Sequence, residues 1–156
     1  MMLIKTRYFG EINLGEEKII TFENGLIGFE NYTTYTLLYD SDKKEETDLM
    51  WLQSTEEESL ALPVINPFNV KSDYNPSIQE ELLSSLGELN DDNICILLTV
   101  TVPQDIKKTA VNLKAPLIIN SDTRKGCQII VDNKEYSVKY NLYEAMQKNK
   151  KEKGEE

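Results

Sequence analysis

Histidine is absent from the 156 residues of this chain, and only two cysteines are present. Without histidine, the chain lacks the side chain that most often performs acid–base catalysis near neutral pH and the commonest transition-metal ligand. Cys95 and Cys127 lie far apart, and no Cys-x-x-Cys spacing occurs. This pattern argues against a disulfide framework, a zinc site or an activated thiol. We therefore predict a protein that is not an enzyme and holds no metal or cofactor.

Long apolar runs are also absent. No stretch reaches the roughly 18 apolar residues that a transmembrane helix requires. The first ten residues lack the apolar core of about 7–15 residues that defines a signal peptide. These absences predict a cytoplasmic protein without membrane contact.

Positive charge is scarce and unevenly distributed. The chain has 17 Lys and Arg residues against 27 Asp and Glu residues, a net charge of −10. Residues 1–92 hold 19 acids against 6 bases, whereas residues 93–143 hold 4 acids against 7 bases. Because an acidic surface repels phosphate backbones, we predict no direct binding to nucleic acid. The acidic surface suits a basic protein partner, and it also favours solubility without any partner.

Two acidic stretches are candidates for an electrostatic role, namely Asp40–Asp48 and the triplet Glu56, Glu57 and Glu58. The triplet lacks the spaced oxygen ligands of a calcium loop, so it does not predict a cation site. A solvated turn is the alternative interpretation.

A central hairpin is predicted over residues 93–120. Residues 94–102 are apolar or β-branched almost throughout, which is typical of a strand buried on both faces. Residues 111–115 alternate between apolar and polar side chains. Since Pro116 cannot donate a hydrogen bond to a ladder, we expect it at an edge, a bulge or a strand break.

One amphipathic helix is predicted over about residues 76–88. Asn75 can cap it, and Pro76 suits the first helical position. Its apolar stripe consists of Ile78, Leu82, Leu83, Leu86 and Leu89. Further strands are predicted over residues 3–10, 18–22, 35–39, 49–54, 60–65, 128–131 and 136–140. Together these elements predict a mainly β fold, a small antiparallel β-barrel-like single domain over 1–143, followed by a charged, frayed tail over 144–156.

Two loop segments contain candidate functional residues. Gly25 and Gly28 indicate backbone positions with positive φ or close packing, and Phe29 between Gly28 and Glu30 is interpreted as a core plug. Trp51 is expected to be largely buried. The irregular segment 66–74 is expected to expose apolar side chains before the helix, and we predict a partner-binding site there. Its residues are Phe68, Val70, Asp73 and Tyr74. The alternative is that the apolar members only plug the mouth of the barrel.

Several of these segments resemble, in order, the motifs of one family. Residues 25–30 are similar to its Gly-Leu-Pro-Gly-Phe motif, with Ile27 in place of the proline, and residues 51–54 resemble its aromatic-Leu-Gln-Ser strand. Asn66 stands where an aspartate is expected before Pro67 and Phe68. Residues 112–120, followed by Gly126-Cys127-Gln128, are similar to its most diagnostic segment. The resemblance covers nearly all of residues 3–143 and is to the flagellar assembly factor FliW family.

The resemblance implies a small, cytoplasmic, non-enzymatic β-barrel protein. A member of this family is expected to bind flagellin and, alternatively, the RNA-binding translational regulator CsrA. When flagellin is secreted, the released factor captures CsrA and relieves repression of flagellin translation. The competing hypothesis is a generic acidic β-barrel chaperone or adaptor for another secreted protein.

Overall fold

The structure is a computed structural model that describes residues 2–39 and 49–145. The predicted acidic stretch Asp40–Asp48 and most of the predicted tail lie outside the described residues. The strands are β1 Met2–Lys5, β2 Glu11–Leu14, β3 Ile20–Phe22, β4 Thr34–Leu38, β5 Met50–Ser54, β6 Ala61–Ile65, β7 Ile94–Thr101, β8 Ala110–Val111, β9 Leu117–Asn120, β10 Lys125–Gln128 and β11 Tyr140–Asn141. Short 3₁₀ helices cover Glu16–Lys18, Pro67–Asn69, Glu80–Leu86 and Ile106–Lys108, and residues 142–145 are helical.

Seven of these strands close into a barrel. They follow one another as β7, β6, β5, β4, β3, β10 and β9, and β9 pairs back onto β7. Every pairing in the barrel is antiparallel except β10 with β3, which is parallel. The predicted mainly β barrel is therefore confirmed, with one parallel pair that the sequence did not indicate. Closure removes the free sheet edges that an open barrel would expose.

The central hairpin is present and is interrupted where the sequence predicts a break. β7 pairs first with β8, with Val100 opposite Val111, and then with β9, with Leu97 opposite Leu117. Between these pairings, Asn112 Oδ1 accepts hydrogen bonds from the backbone N–H groups of Lys114 at 3.0 Å and Ala115 at 3.1 Å. The asparagine thus shapes a turn that carries the chain past Pro116 and into β9.

Successive residues of β7 belong to different hydrophobic clusters. Leu97 lies in the cluster that fills the barrel, together with Phe22, Leu26, Tyr35, Leu52, Leu60, Val64, Leu117 and Ile119. Leu98 lies in a second cluster with Ile65, Val70, Tyr74, Val100, Val111, Leu113, Val131, Tyr136, Leu142 and Ala145. Because neighbouring side chains of a strand point to opposite faces, β7 is buried on both faces, as its apolar run predicts.

The helix is shorter than predicted and of a different type. It is a 3₁₀ helix over Glu80–Leu86 that begins after Gln79, so Asn75 does not cap it. The backbone N–H of Asn75 instead donates to Tyr136 Oη at 2.7 Å, which ties the segment before the helix to Tyr136. With about three residues per turn, Leu83 and Leu86 share one face. Leu82 falls outside that face and is 49% exposed, so the predicted single stripe is wrong at this residue.

A separate hairpin of β1 and β2 lies beside the barrel. After β1, the backbone N–H of Arg7 donates to Gln53 Oε1 at 3.0 Å, and the ring of Tyr8 packs 4.4 Å from the ring of Trp51. Trp51 is of intermediate exposure, with the ring of Tyr8 against it. Across the two described stretches, no helix is long and apolar enough to cross a membrane.

Candidate functional site

The predicted partner-binding segment divides into exposed and buried residues. Phe68 is 51% exposed and Asp73 is also exposed, whereas Val70 and Tyr74 are only 2% and 3% exposed. The expectation that all its apolar side chains are exposed is therefore wrong for Val70 and Tyr74. The cause is the 3₁₀ helix Pro67–Asn69, where Asn66 Oδ1 accepts a hydrogen bond from Phe68 N at 2.9 Å. This cap directs Phe68 outwards and returns Val70 to the core.

Tyr74 anchors this segment to the rest of the molecule. Its hydroxyl donates to the carbonyl oxygen of Leu113 at 2.8 Å, and its ring is tilted against that of Tyr136 at a centroid distance of 4.7 Å. Burial is the largest cause that raises the pKa of Tyr74 above its usual value of 10.0, and Tyr136 adds to it. Beside it, Lys71 Nζ lies 2.9 Å from Asp73 Oδ1. Val70 and Tyr74 therefore position Phe68 and Asp73.

The acidic triplet does not form one uniform patch. The Glu56 carboxylate accepts hydrogen bonds from the backbone N–H groups of Thr33 and Thr34, both at 2.9 Å, and from Thr34 Oγ1 at 3.0 Å. The Thr34 backbone hydrogen bond is the largest cause that lowers the pKa of Glu56. Glu57 Oε2 accepts from the backbone N–H and the hydroxyl of Ser59, at 3.2 and 3.1 Å. Glu58 is exposed, so the three carboxylates have different environments.

The turn that carries these acids is built by two polar residues at the end of β5. Ser54 Oγ accepts hydrogen bonds from the backbone N–H groups of Glu56 and Glu57, both at 3.0 Å. The buried Gln53 side chain donates from Nε2 to the carbonyl oxygens of Glu58 and Leu60, both at 3.2 Å. Gln53 and Ser54, the Gln-Ser pair of the family motif, thus hold this turn in place. Both the oxygen and the nitrogen of the buried Gln53 side chain have hydrogen-bond partners.

The loop over residues 25–30 presents apolar side chains to solvent. Gly25 and Gly28 have φ values of +68° and +89°, which confirms the predicted positive-φ positions. Phe29 is 37% exposed and Ile27 is also exposed, so the interpretation of Phe29 as a core plug is wrong. Leu26 takes that place, because the turn that begins at Gly25 directs it into the barrel core. No local pattern of the sequence distinguishes Leu26 from Phe29 as the buried residue, because the positive-φ glycines set the side-chain directions in this loop.

A cleft of about 380 Å³ lies between this loop and the turn after β5. We call it the rim cleft, and it is lined by Arg7, Phe29, Tyr32, Glu57, Ser59, Leu60, Ala61 and Leu62. The guanidinium of Arg7 donates from Nη1 to the carbonyl oxygen of Ser59 at 3.2 Å and lies 5.1 Å from the centroid of the Tyr8 ring. Sequence reasoning did not identify this cleft, because its residues come from three distant segments.

The rim cleft and Phe68 lie at opposite ends of β6. Ala61, the first residue of β6, lines the cleft, whereas Phe68 follows the last residue, Ile65, by one turn of 3₁₀ helix. The structure therefore does not bring the predicted segment 68–74 together with the acidic triplet. They are two separate surfaces of the barrel.

Two amides of the most diagnostic segment have structural roles. The fully buried Asn120 donates from Nδ2 to the carbonyl oxygen of Leu86 at 2.9 Å, which holds the end of the 3₁₀ helix on β9. Gln128 Oε1 accepts from the backbone N–H of Ile27 at 2.9 Å, and its Nε2 donates to the carbonyl oxygen of Ala115 at 3.1 Å. Gln128 thus ties the 25–30 loop to the central hairpin. Among residues 2–39 and 49–145, no three His, Cys, Asp or Glu side chains are placed to hold a metal ion.

These features define a class of small closed β-barrels that display apolar and acidic side chains on loops at both ends. The model of the FliW protein family matches residues 3–142, and the chain belongs to this family. The family resemblance read from the sequence motifs is thereby confirmed.

Relatives and a solved structure agree with this assignment. Two proteins named flagellar assembly factor FliW are similar to this chain. The one from Lachnoclostridium phytofermentans is 50% identical over 155 residues, 99% of both chains. The one from Lachnospira eligens is 49% identical over 148 residues, 94% of this chain and 98% of that protein. A crystal structure of a flagellar assembly factor FliW superposes with a TM-score of 0.82 at 30% identity, covering 91% of this chain and 97% of that one.

Proposed function

We propose that this chain is a cytoplasmic, non-enzymatic flagellar assembly factor that binds flagellin. When flagellin is depleted, it binds and antagonises the RNA-binding translational regulator CsrA and so relieves repression of flagellin translation. The observation that carries the proposal is the family match over residues 3–142, supported by relatives that align over nearly their whole length. It needs no metal, cofactor, nucleic acid or membrane.

The charge distribution supports the antagonism of an RNA-binding protein. The chain carries −10, and residues 1–92 alone hold 19 acids against 6 bases. Carboxylates placed beside a basic RNA groove add a negative potential that approaching phosphates must overcome. At physiological salt the Debye length is about 8 Å, so several charges close to the groove are required. All three carboxylates of the triplet are candidates for this role, because Glu56 and Glu57 keep their negative charge while they accept hydrogen bonds.

The sequence predicts this segment as a contact for both partners, and of its predicted residues Phe68 and Asp73 are exposed. We propose these two residues as a contact for flagellin. Exposed aromatic side chains are enriched in protein interfaces. Val70 and Tyr74 belong to the same candidate site in a supporting role, since they hold the segment against the core. Replacing Phe68 by alanine is expected to weaken flagellin binding without lowering the melting temperature.

Calorimetric titration of the purified chain with flagellin and, separately, with CsrA tests the function. We expect each of them to bind. RNA affinity of CsrA is then measured with and without saturating chain at several salt concentrations. Electrostatic antagonism makes two predictions. Excess RNA does not reverse the weakening of RNA binding, and the ratio of the RNA affinities without and with the chain falls as the salt concentration rises. Reversal by excess RNA contradicts electrostatic antagonism.

A pull-down from motile cells that recovers another secreted protein and no flagellin supports the adaptor hypothesis instead.

A further inference from the structure

We propose that the rim cleft is the docking site for a basic segment of the RNA-binding partner, which inserts a large apolar side chain between Phe29, Leu60 and Leu62. A lysine or arginine side chain that flanks the inserted residue lies beside Glu57, which lines the cleft. This inference rests on the proposed function only in the identity of the partner. It assigns the two partners to opposite ends of β6.

The floor of the rim cleft is continuous with the barrel core. Leu60 is a buried member of the barrel cluster, and Tyr32 and Leu62 pack against that cluster while remaining half-buried. Phe29 stands at the entrance with more than a third of its surface exposed. An inserted aliphatic or aromatic side chain would cover this apolar surface, and its removal from water favours binding.

The walls of the cleft are already fixed in the unbound chain. Gln128 holds Ile27, two residues before Phe29, and Gln53 holds the carbonyl oxygens of the opposite turn. Ser54 fixes the backbone of Glu56 and Glu57. Because these contacts order both walls, a partner does not have to pay the conformational entropy of forming the site.

The charges at the cleft select a basic occupant. Glu57 lines the cleft, and Glu56 and Glu58 flank it in the same turn. Arg7 is the one cation among the lining residues, and its guanidinium is engaged by the carbonyl oxygen of Ser59 and the ring of Tyr8. The rim thus presents an excess of negative charge. A second copy of this chain, with its net charge of −10, is repelled, as is a nucleic acid.

A matched pair of phenylalanines provides the test. Phe29 and Phe68 are both exposed, Phe29 beside the cleft at the start of β6 and Phe68 in the 3₁₀ helix after its end. The variants Phe29→Ala, Phe68→Ala, Glu57→Gln and Glu81→Gln are titrated with the RNA-binding regulator and with flagellin, at low and at physiological salt. Glu81 is the acidic control, because it lies on the 3₁₀ helix and not in the cleft. Melting temperatures establish that each variant is folded, and Glu57→Lys repeats the test through charge alone if Phe29→Ala does not fold.

We expect Phe29→Ala to weaken binding of the regulator about tenfold, as for a central interface aromatic, and to leave flagellin binding within about twofold. Glu57→Gln is expected to weaken binding of the regulator several-fold at low salt and less at physiological salt, whereas Phe68→Ala and Glu81→Gln leave regulator binding unchanged.

Regulator affinities within about twofold of wild type for Phe29→Ala and Glu57→Gln overturn the docking site while the proposed function stands. Equal losses for both partners, or a dimer of this chain that Phe29→Ala disrupts, overturn it as well. Failure of the wild-type chain to bind the regulator overturns the function and this assignment together.

Discussion

Gly126 lies directly beneath the ring of Phe22. A Cβ atom built on Gly126 would stand 2.6 Å from Cε1 and 2.9 Å from Cζ of that ring. The contact occurs at the parallel junction of the barrel, where Gly126 of β10 is opposite Phe22 of β3. Phe22 is fully buried and also meets Tyr35 edge-on at 5.6 Å, so its ring has no room to withdraw. The glycine of the Gly-Cys-Gln motif is therefore required by packing.

Gly126→Ala is accordingly expected to destabilise the chain by about 1–3 kcal/mol, the usual cost of overpacking a core. Chemical denaturation of wild type and variant measures the difference. Gly15→Ala is the matched control, because Gly15 has a φ of −78° and an added Cβ there meets only the flexible carboxylate of Glu17. A Gly126→Ala variant as stable as Gly15→Ala would contradict this account of the barrel junction.

The strands of the barrel could be predicted from the sequence because each has a strong apolar pattern. The run from Ile94 to Val102 is the clearest case, and β7 occupies nearly all of it. The strand predicted over 128–131 lies instead at Lys125–Gln128. After Gln128, Ile129 N donates to the carbonyl oxygen of Pro116 at 3.2 Å, but Pro116 has no N–H to return. The regular ladder therefore ends there although the chain continues beside its partner.

The candidate site was less predictable, because exposure depends on contacts between distant segments. Val70 and Tyr74 lie in an irregular apolar segment that also suits an exposed binding site, but both are buried in the second cluster. Tyr74 is held there by its hydrogen bond to Leu113, which is distant in the sequence. The first part of the predicted helix is not helical for a similar reason. The backbone N–H groups of Asn75 and Ser77 donate to Tyr136 Oη and Asn133 Oδ1, which are distant in the sequence. The rim cleft joins Arg7, Phe29 and Leu60, and no local pattern relates them.

The two cysteines are expected to remain separate thiols under mild oxidation. Cys95 is opposite Ile119 and Cys127 is opposite Ile118, so β9 lies between them and their side chains point to different faces. Two strand spacings amount to about 9–10 Å, beyond the roughly 7 Å that a disulfide tolerates between Cα atoms. Burial also raises the pKa of each thiol, which slows its reaction near neutral pH. Mass spectrometry after mild oxidation checks this prediction, and an intramolecular disulfide would contradict it.

Two buried tyrosines are expected to respond oppositely to loss of the hydroxyl. The Tyr35 hydroxyl is buried and has no hydrogen-bond partner among the described residues, and burial raises its pKa to about 12. Tyr35→Phe removes an unpaired polar atom, so stability is expected to stay the same or to rise by up to about 1 kcal/mol. Tyr74→Phe removes a made hydrogen bond to Leu113 and is expected to cost about 0.5–1.5 kcal/mol. Denaturation of both variants measures the contrast, and an equal loss at the two positions would refute it.

Glu56 is expected to make stability depend on pH in the acidic range. The backbone N–H groups of Thr34 and Thr33 favour its carboxylate and lower the pKa in the folded chain below the ordinary value of 4.5. The unfolded chain therefore binds this proton at a higher pH than the folded chain does. The contribution of Glu56 is complete above the ordinary value and is lost as the pH falls through the lowered folded-state value.

Glu56→Gln is thus expected to be less stable than wild type at pH 7, with a difference that shrinks as the pH falls below 4.5. Because the carboxylate is exposed, solvent screening keeps the difference small, and urea denaturation at closely spaced pH values is the suitable measurement. Glu58→Gln, an exposed acid of the same turn, is the control for the general loss of one charge. A Glu56→Gln difference that stays constant from pH 7 to about pH 3 would show that the charge on this carboxylate does not stabilise the turn.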